Sequence, residues 1–173
     1  NALQCHIRGV SNIFGDITQE VIYEAPERLY ELLECPKLTI DIETTGLTIK
    51  DSIVTIAFAS STSKGMAFIL TDKSLIKSFF EQYKGRKIFH NATFDVKMII
   101  KECFMDSPED YQGLLHGLYT MCRNLHDTKI IAYLATNNTQ GNFLGLKDLS
   151  HEFMGNYAVD VTDVTKLSRD TLL

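Results

Sequence analysis

Residues 38–47 read LTIDIETTGL, and the way this stretch is read decides the fold. Leu38, Ile40 and Ile42 alternate with Thr39, Asp41 and Glu43. Side chains of a strand point to opposite faces with a period of two. The apolar set therefore faces a core, and Asp41 and Glu43 share the other face. Two neighbouring carboxylates repel each other and cost free energy to desolvate. A divalent cation removes that repulsion, and hard cations such as Mg2+ and Mn2+ prefer carboxylate oxygens. With further carboxylates, two ions sit about 3.5–4 Å apart and clamp both oxygens of an in-line phosphoryl displacement.

The next acid in a suitable setting is Asp95, in HNATFD at 90–95. Asn91 ends a short strand and starts a helix, and Asp95 lies one turn further along the same face. If the 87–91 strand pairs near the 38–43 strand, Asp95 projects toward Asp41 and Glu43. Each residue also has a structural reading. A lone Asp-x-Glu is often a solvated strand face. Asn91 is a favoured helix N-cap, as is Asp127. Asp95 alone is a first-turn acid favoured by the helix dipole.

Around these motifs the chain alternates elements. Glu20 to Tyr23 is a possible strand, and Pro26 opens a helix with Leu29, Leu32 and Leu33 as its stripe. SIVTIAFAS (52–60) and GMAFIL (65–70) read as strands joined in a hairpin. Thr71 caps a helix carrying Leu75, Ile76, Phe79, Phe80 and Tyr83. KIFHN is a strand, and a helix runs from Ala92 to about Glu102. Gly113 and Gly117 weaken any helix over 104–121. Asp127 caps a helix with Ile130, Ile131, Tyr133 and Leu134, and another spans Leu146 to Phe153. Residues 155–165 read as irregular, with a last helix from Thr165. This order predicts an α/β architecture, a mixed sheet covered by helices.

Composition bounds the partners. With 173 residues and 45% hydrophobic content, one domain with a sizeable core is expected. A net charge of −5 argues against a broad phosphate-gripping surface. No apolar run approaches the roughly 20 residues that span a bilayer, so no membrane is expected as a partner. No signal-peptide pattern opens the chain. Cys5, Cys35, Cys103 and Cys122 lack zinc spacing and read as reduced thiols in a cytoplasmic setting.

DIETTGL followed by HNATFD resembles the first two motifs of the DEDD superfamily of exonucleases, which share a ribonuclease-H-like fold. HDTKIIAYLATNNTQGNFLGLKDLSHEF extends the likeness to the proofreading domain of family A DNA polymerases, of phage or bacterial type. EAPERLYELLECPK looks like the opening of that domain. The resemblance covers about Tyr23 to Leu173. It implies a ribonuclease-H-like mixed β-sheet flanked by α-helices, with residues 1–24 as an N-terminal extension and 25–173 as the exonuclease domain. It implies two Mg2+ or Mn2+ ions held by Asp41, Glu43 and Asp95, with Asp41 bridging both. Thr44 would meet the terminal 3′-hydroxyl, Leu47 would wedge against the last base, and Asn91 and Phe94 would line the cleft. The implied partners are a single-stranded DNA 3′ end and the polymerase domain of the parent chain, in a bacterial or phage-infected cytoplasm. Lys147 is either a phosphate contact or a solvated lysine.

The family's third motif, Tyr-x-x-x-Asp, is not found. Tyr157-Ala-Val-Asp160 is one residue too short, so Asp160 and Asp163 read as loop acids and the motif is expected beyond Leu173. His126 and His151 lack the spacing of the superfamily's histidine variant. Two other readings remain: an RNA 3′-end trimming enzyme of the ribonuclease D type, and a silent exonuclease-fold module that binds DNA or a partner.

Overall fold

The computed structural model describes residues 20–23, 26–62, 64–136 and 144–154. The sheet is six-stranded: β1 (Glu20–Tyr23), β2 (Lys37–Thr44), β3 (Ile53–Ser61), β4 (Lys64–Ile69), β5 (Arg86–Phe89) and β6 (Leu125–Asp127). Their spatial order is β1-β4-β3-β2-β5-β6. The β2–β3 and β3–β4 pairs are antiparallel, whereas β1–β4, β2–β5 and β5–β6 are parallel. The helices are α1 (Lys73–Gln82), α2 (Ala92–Cys103), α3 (Tyr111–Cys122), α4 (Thr128–Thr136) and α5 (Leu146–Met154), with a 3-10 helix at Pro26–Leu32. Two compact units divide the chain: residues 19–131, which hold the sheet, and a second made of 1–18 with 132–173.

β2 buries Leu38, Ile40 and Ile42 and leaves Thr39, Asp41 and Glu43 exposed, as its alternation predicts. Cross-strand register extends the apolar face, pairing Ile40 with Phe58 and Ile42 with Ile56, then Ile56 with Phe68. Phe58 meets Phe79 of α1 edge-on at 5.4 Å between centroids and lies 6.0 Å from Phe80. Edge-to-face rings add to the energy of buried area. α1 packs on α2, and α2 on β3, β5 and α3. Lys87 is fully buried on the same face of β5. Its ammonium donates to the Arg123 carbonyl just past the end of α3, and burial lowers its pKa to about 8.

The N-cap of α1 is Asp72 rather than the expected Thr71, because Asp72 Oδ1 accepts from the Leu75 backbone N–H at 3.0 Å. Residues 111–122, read from sequence as weakened by glycine, form the regular helix α3. Asp110 caps it, accepting from the Gly113 N–H at 2.8 Å. A Cβ at Gly117 would stand 2.8 Å from Ile100 Cγ2 and 3.1 Å from Phe104 Cβ. The glycine is there so that α2 and α3 approach closely, which outweighs its poor helix propensity. Among the described residues, Cys35, Cys103 and Cys122 are unpaired thiols, and no helix is long and apolar enough to cross a membrane. The helix expected from Thr165, the irregular stretch before it, Tyr157, Asp160 and Asp163 lie outside the described residues.

Gly117→Ala gains up to about 1 kcal/mol of helix propensity but overpacks the α2–α3 contact at a cost of about 1–3 kcal/mol. We expect a net loss of up to about 2 kcal/mol in urea denaturation. A variant as stable as wild type would show that the contact yields without strain.

Candidate active site

Asp41 and Glu43 lie near the end of β2, and Asp95 lies in the first turn of α2, directly after β5. β2 and β5 are parallel neighbours, so the end of one and the helix following the other occupy the same edge of the sheet. In open α/β sheets, ligands bind outside the carboxyl ends of strands. A register shift between Glu43 and Thr44 marks a bulge, a device that re-aims side chains beside a cleft.

The three carboxyls sense one another. Asp95 is 8% exposed, and its pKa is pushed up to about 6, chiefly by burial and then by the negative charge of Asp41. Its own backbone N–H and that of Ile42 only partly offset this. Asp41 is raised by partial desolvation, against the opposing pull of the Ile42 N–H and of His90. Glu43 is raised by desolvation and then by Asp41. Asp41 and Glu43 remain open to solvent, yet the surrounding protein still screens their carboxyls enough to disfavour charge. Among the described residues, no lysine or arginine is among the groups that shift these three.

Asp127 is in the opposite state. Its Oδ1 accepts from the N–H groups of Asn91 at 3.0 Å and Lys129 at 2.9 Å. Its Oδ2 accepts from the Ala92 N–H at 2.8 Å. Although burial alone would raise it, these backbone donors hold its pKa below the usual range. It caps α4, as its position predicts, and it also caps α2. Asn91 precedes α2 but makes no side-chain cap bond, and it sits in the left-handed region at φ 64° and ψ 52°. The expected Asn91 cap is thus replaced by Asp127 across the β5–β6 pair, and the exposed Asn91 amide is released from capping.

Thr44 donates its hydroxyl to the Gly46 carbonyl at 2.6 Å. The loop beyond it is braced by Asp51, which accepts from Thr45 Oγ1, Thr48 N and Thr48 Oγ1. Lys101 Nζ ties the same loop to α2 through the Asp51 carbonyl at 2.6 Å. On this rigid frame Leu47 is 86% exposed. Phe94 is half-buried, with the Lys97 ammonium 5.8 Å above its ring. His90, given no role in the sequence reading, bonds Thr128 and influences Asp41.

The donor set is all oxygen and net negative, which suits Mg2+ or Mn2+ in type. Among the described residues, no group of three or more His, Cys, Asp or Glu side chains is disposed to hold a metal ion as it stands. Charge nevertheless couples Asp41 to Glu43 and to Asp95.

Residues 22–171 match a family profile described as 3′-5′ exonuclease. No curated protein matches the chain significantly. Among solved structures the chain is similar to Brucella melitensis NrnC bound to pGG, at TM-score 0.57 and 18% identity over 81% of this chain and 64% of that one. It is similar to Escherichia coli RNase D at TM-score 0.61 and 15% identity, over 90% of this chain and 40% of that one. Trypanosoma brucei RRP6 gives TM-score 0.55 and 15% identity, over 91% and 45%. The chain thus spans less than two thirds of each. At these identities the likeness carries the fold, a ribonuclease-H-like mixed sheet flanked by helices.

Raising a carboxyl from 3.8 to about 6 corresponds to roughly 3 kcal/mol. The folded state keeps this proton between pH 3.8 and about 6 while the unfolded chain loses it. Stability therefore falls through that window and stays reduced above it. In metal-free buffer at pH 8, Asp95→Asn should stabilise the protein by roughly 1–3 kcal/mol, with little change at pH 3.5. Thermal unfolding at the two pH values tests this; equal effects at both would place Asp95 outside the charged cluster.

Proposed function

The chain belongs to the 3′-5′ exonuclease family, and from that premise we propose that it is the proofreading exonuclease domain of a DNA polymerase, removing nucleotides from single-stranded or frayed DNA 3′ ends. The observation that carries this reading is the charge coupling of Asp41 to both Glu43 and Asp95, with no lysine or arginine among the described residues to balance it. Such a cluster destabilises the fold unless a cation joins it. Mg2+ or Mn2+ is the assigned cofactor, and Brucella melitensis NrnC has been solved with bound Mg2+. Asp41, Glu43 and Asp95 would hold it, with Asp41 central. When bound, a pair of such ions neutralises charge on the attacking and leaving oxygens of an in-line displacement.

The remaining residues act on the strand. The Thr44 hydroxyl, its proton given to Gly46, keeps a lone pair to accept a bond from the terminal 3′-hydroxyl. Leu47 pushes against the last base from its braced loop, separating it from its neighbour. Asn91 offers an amide free of capping, and Phe94 an apolar wall. None of these contacts reads sequence, which suits a site that takes any strand end. Selectivity follows from melting, because a mismatched end frays at lower cost. The partner is the polymerase domain of the parent chain, which supplies the phosphate grip that a net charge of −5 does not.

RNA is the second reading. NrnC was solved with pGG, and RNase D is an exoribonuclease of structured RNA processing. Matched 3′-labelled DNA and RNA oligonucleotides, digested by the full parent protein in Mg2+, separate the two. We expect nucleoside monophosphate release from DNA to exceed that from RNA. Asp41→Ala and Glu43→Ala should each cut the rate about a thousandfold, equivalent to roughly 4 kcal/mol. Faster RNA digestion moves the assignment to RNA trimming. Alanine variants that cleave at the wild-type rate would overturn it altogether.

A further inference from the structure

A net charge of −5 conceals one local surplus of cations. Lys37 opens β2 and Arg86 opens β5, and the parallel register sets them directly opposite each other. Both are exposed. Neighbouring strands lie about 4.8 Å apart, and like charges placed directly across a strand pair are destabilising. The contrast with β4 is direct: it opens with Lys64, but the register partner of Lys64 is Glu20.

Further cations gather at the same end of the sheet. Lys84 is exposed, and its ammonium donates to the Glu81 backbone carbonyl at 3.1 Å. Lys87 is fully buried behind Arg86. Burial first, and then the charges of Arg123 and Lys84, disfavour its ammonium. Among the described residues, none of Lys37, Lys84, Arg86, Lys87 and Arg123 forms an ion pair with a carboxylate, and Glu81 faces His116 instead.

The backbone that carries the pair is held firmly. The Arg86 N–H donates to the Pro36 carbonyl at 3.0 Å, which ties the start of β5 to the residue before β2. The hydroxyl of the buried Tyr83 lies 3.0 Å from the Cys35 carbonyl and 3.3 Å from the Arg86 carbonyl. A Cβ at Gly85 would stand 2.2 Å from that hydroxyl oxygen, so only glycine leaves it room. Arg123 Nη2 in turn donates to the Tyr83 carbonyl at 3.1 Å. No movement of the strand starts separates Lys37 from Arg86 without breaking these bonds.

The pair also has a fixed relation to the acids. Lys37, Thr39, Asp41 and Glu43 share the exposed face of β2. Four residues separate Lys37 from Asp41, about 13 Å along the strand. A stacked nucleic-acid strand advances about 3.4 Å per nucleotide, so it covers this distance in roughly four. We propose that Lys37 and Arg86 form an upstream phosphate clamp, which grips the bound strand roughly four nucleotides from its 3′ end. Arginine offers a planar fork to phosphate oxygens and lysine a compact charge. Such contacts fix position and carry no sequence information. The proposal rests on the exonuclease reading for the placement of the 3′ end at Asp41 and Glu43.

The experiment uses the full chain and a 5′-labelled oligothymidylate of about ten nucleotides. A methylene group replaces the 3′-bridging oxygen of its last linkage, so Mg2+ can be present without cleavage. Fluorescence anisotropy at low ionic strength should show binding to wild type. Lys37→Gln combined with Arg86→Gln should bind about tenfold more weakly. Its slope of log affinity against log salt should be shallower by about 1.4, since each single-strand phosphate contact contributes about 0.7. Lys37→Arg combined with Arg86→Lys keeps both charges and should bind as wild type does. Lys64→Gln should also leave binding unchanged. Neutral methylphosphonate linkages then locate the grip. One placed three to five linkages from the 3′ end should weaken wild type but not the double glutamine variant. One placed at the 5′ end should leave the difference between the two proteins intact.

Wild-type affinity and salt slope in the double glutamine variant would overturn the proposal, and would fit a patch that meets an acidic protein surface instead. So would an absence of wild-type binding, or a loss that is the same wherever the neutral linkage stands. Either result beside normal cleavage of an unmodified strand leaves the exonuclease reading untouched. A clamp that behaves as expected, with no cleavage of any unmodified strand, counts against the exonuclease reading alone.

Discussion

The structure depends on one constraint: β2 is committed to the core on one face. Leu38 is fully buried, and Ile40 and Ile42 nearly so, each contributing about 1.5–3 kcal/mol by leaving water. A slip of one residue would turn all three to solvent and bury two acids. The antiparallel partner β3 and the parallel partner β5 fix this register from both sides. Asp41 and Glu43 are therefore held side by side although their charges repel. No adjustment of the strand relieves the repulsion without losing the core, and it is expressed instead in the raised pKa values of both carboxyls.

The second acid pair makes the same point through helix termini. Asp95 and Asp127 both lie at the start of α2, one in its first turn and one across from it. The start of a helix offers unsatisfied N–H groups and a favourable dipole to an anion. Asp127 takes those donors at Asn91 and Ala92 and is held below the usual range. Asp95, buried and facing Asp41, is pushed up to about 6. Neighbouring titratable groups whose environments drive their pKa values apart mark a division of roles. Here Asp127 serves the fold, and Asp95 is left with an unmet demand for positive charge.

Much of this was legible in the sequence. Period-two alternation located β2, the runs SIVTIAFAS and GMAFIL with their short link located β3 and β4, and the Asp-x-Glu pair with Asp95 was visible because strand and helix periods fix which side chains share a face. Asp127 was legible as a cap for α4. What escaped needed tertiary contact to be seen. Gly117 looked like a helix breaker until Ile100 and Phe104 stood against it. β6 is three residues, LHD, too short to alternate. The left-handed Asn91 and the transfer of its cap to Asp127 depend on the β5–β6 pairing. His90 was quoted within a motif but carried no signal of its own; its contact with Thr128 is made only once β5 and β6 pair.

The face of the sheet that bears the acids is open for a reason that can be read across the strands. The row running from Asp41 crosses Ala57 and then Ala67, and the row from Thr39 crosses Ala59 and then Gly65. The opposite face is filled by Phe58, Phe68 and Ile56. A Cβ at Gly65 would meet only the Phe58 carbonyl at 3.4 Å and Ala59 Cβ at 4.0 Å. Crowding by its neighbours therefore does not account for the glycine. Larger side chains in these rows would bury more apolar area and favour the fold, yet they would stand beside Asp41 and narrow its approach. The small residues Ala57, Ala59, Gly65 and Ala67 keep a shallow floor next to the carboxylates. Stability is thus concentrated on one face of β2, and access is kept on the other.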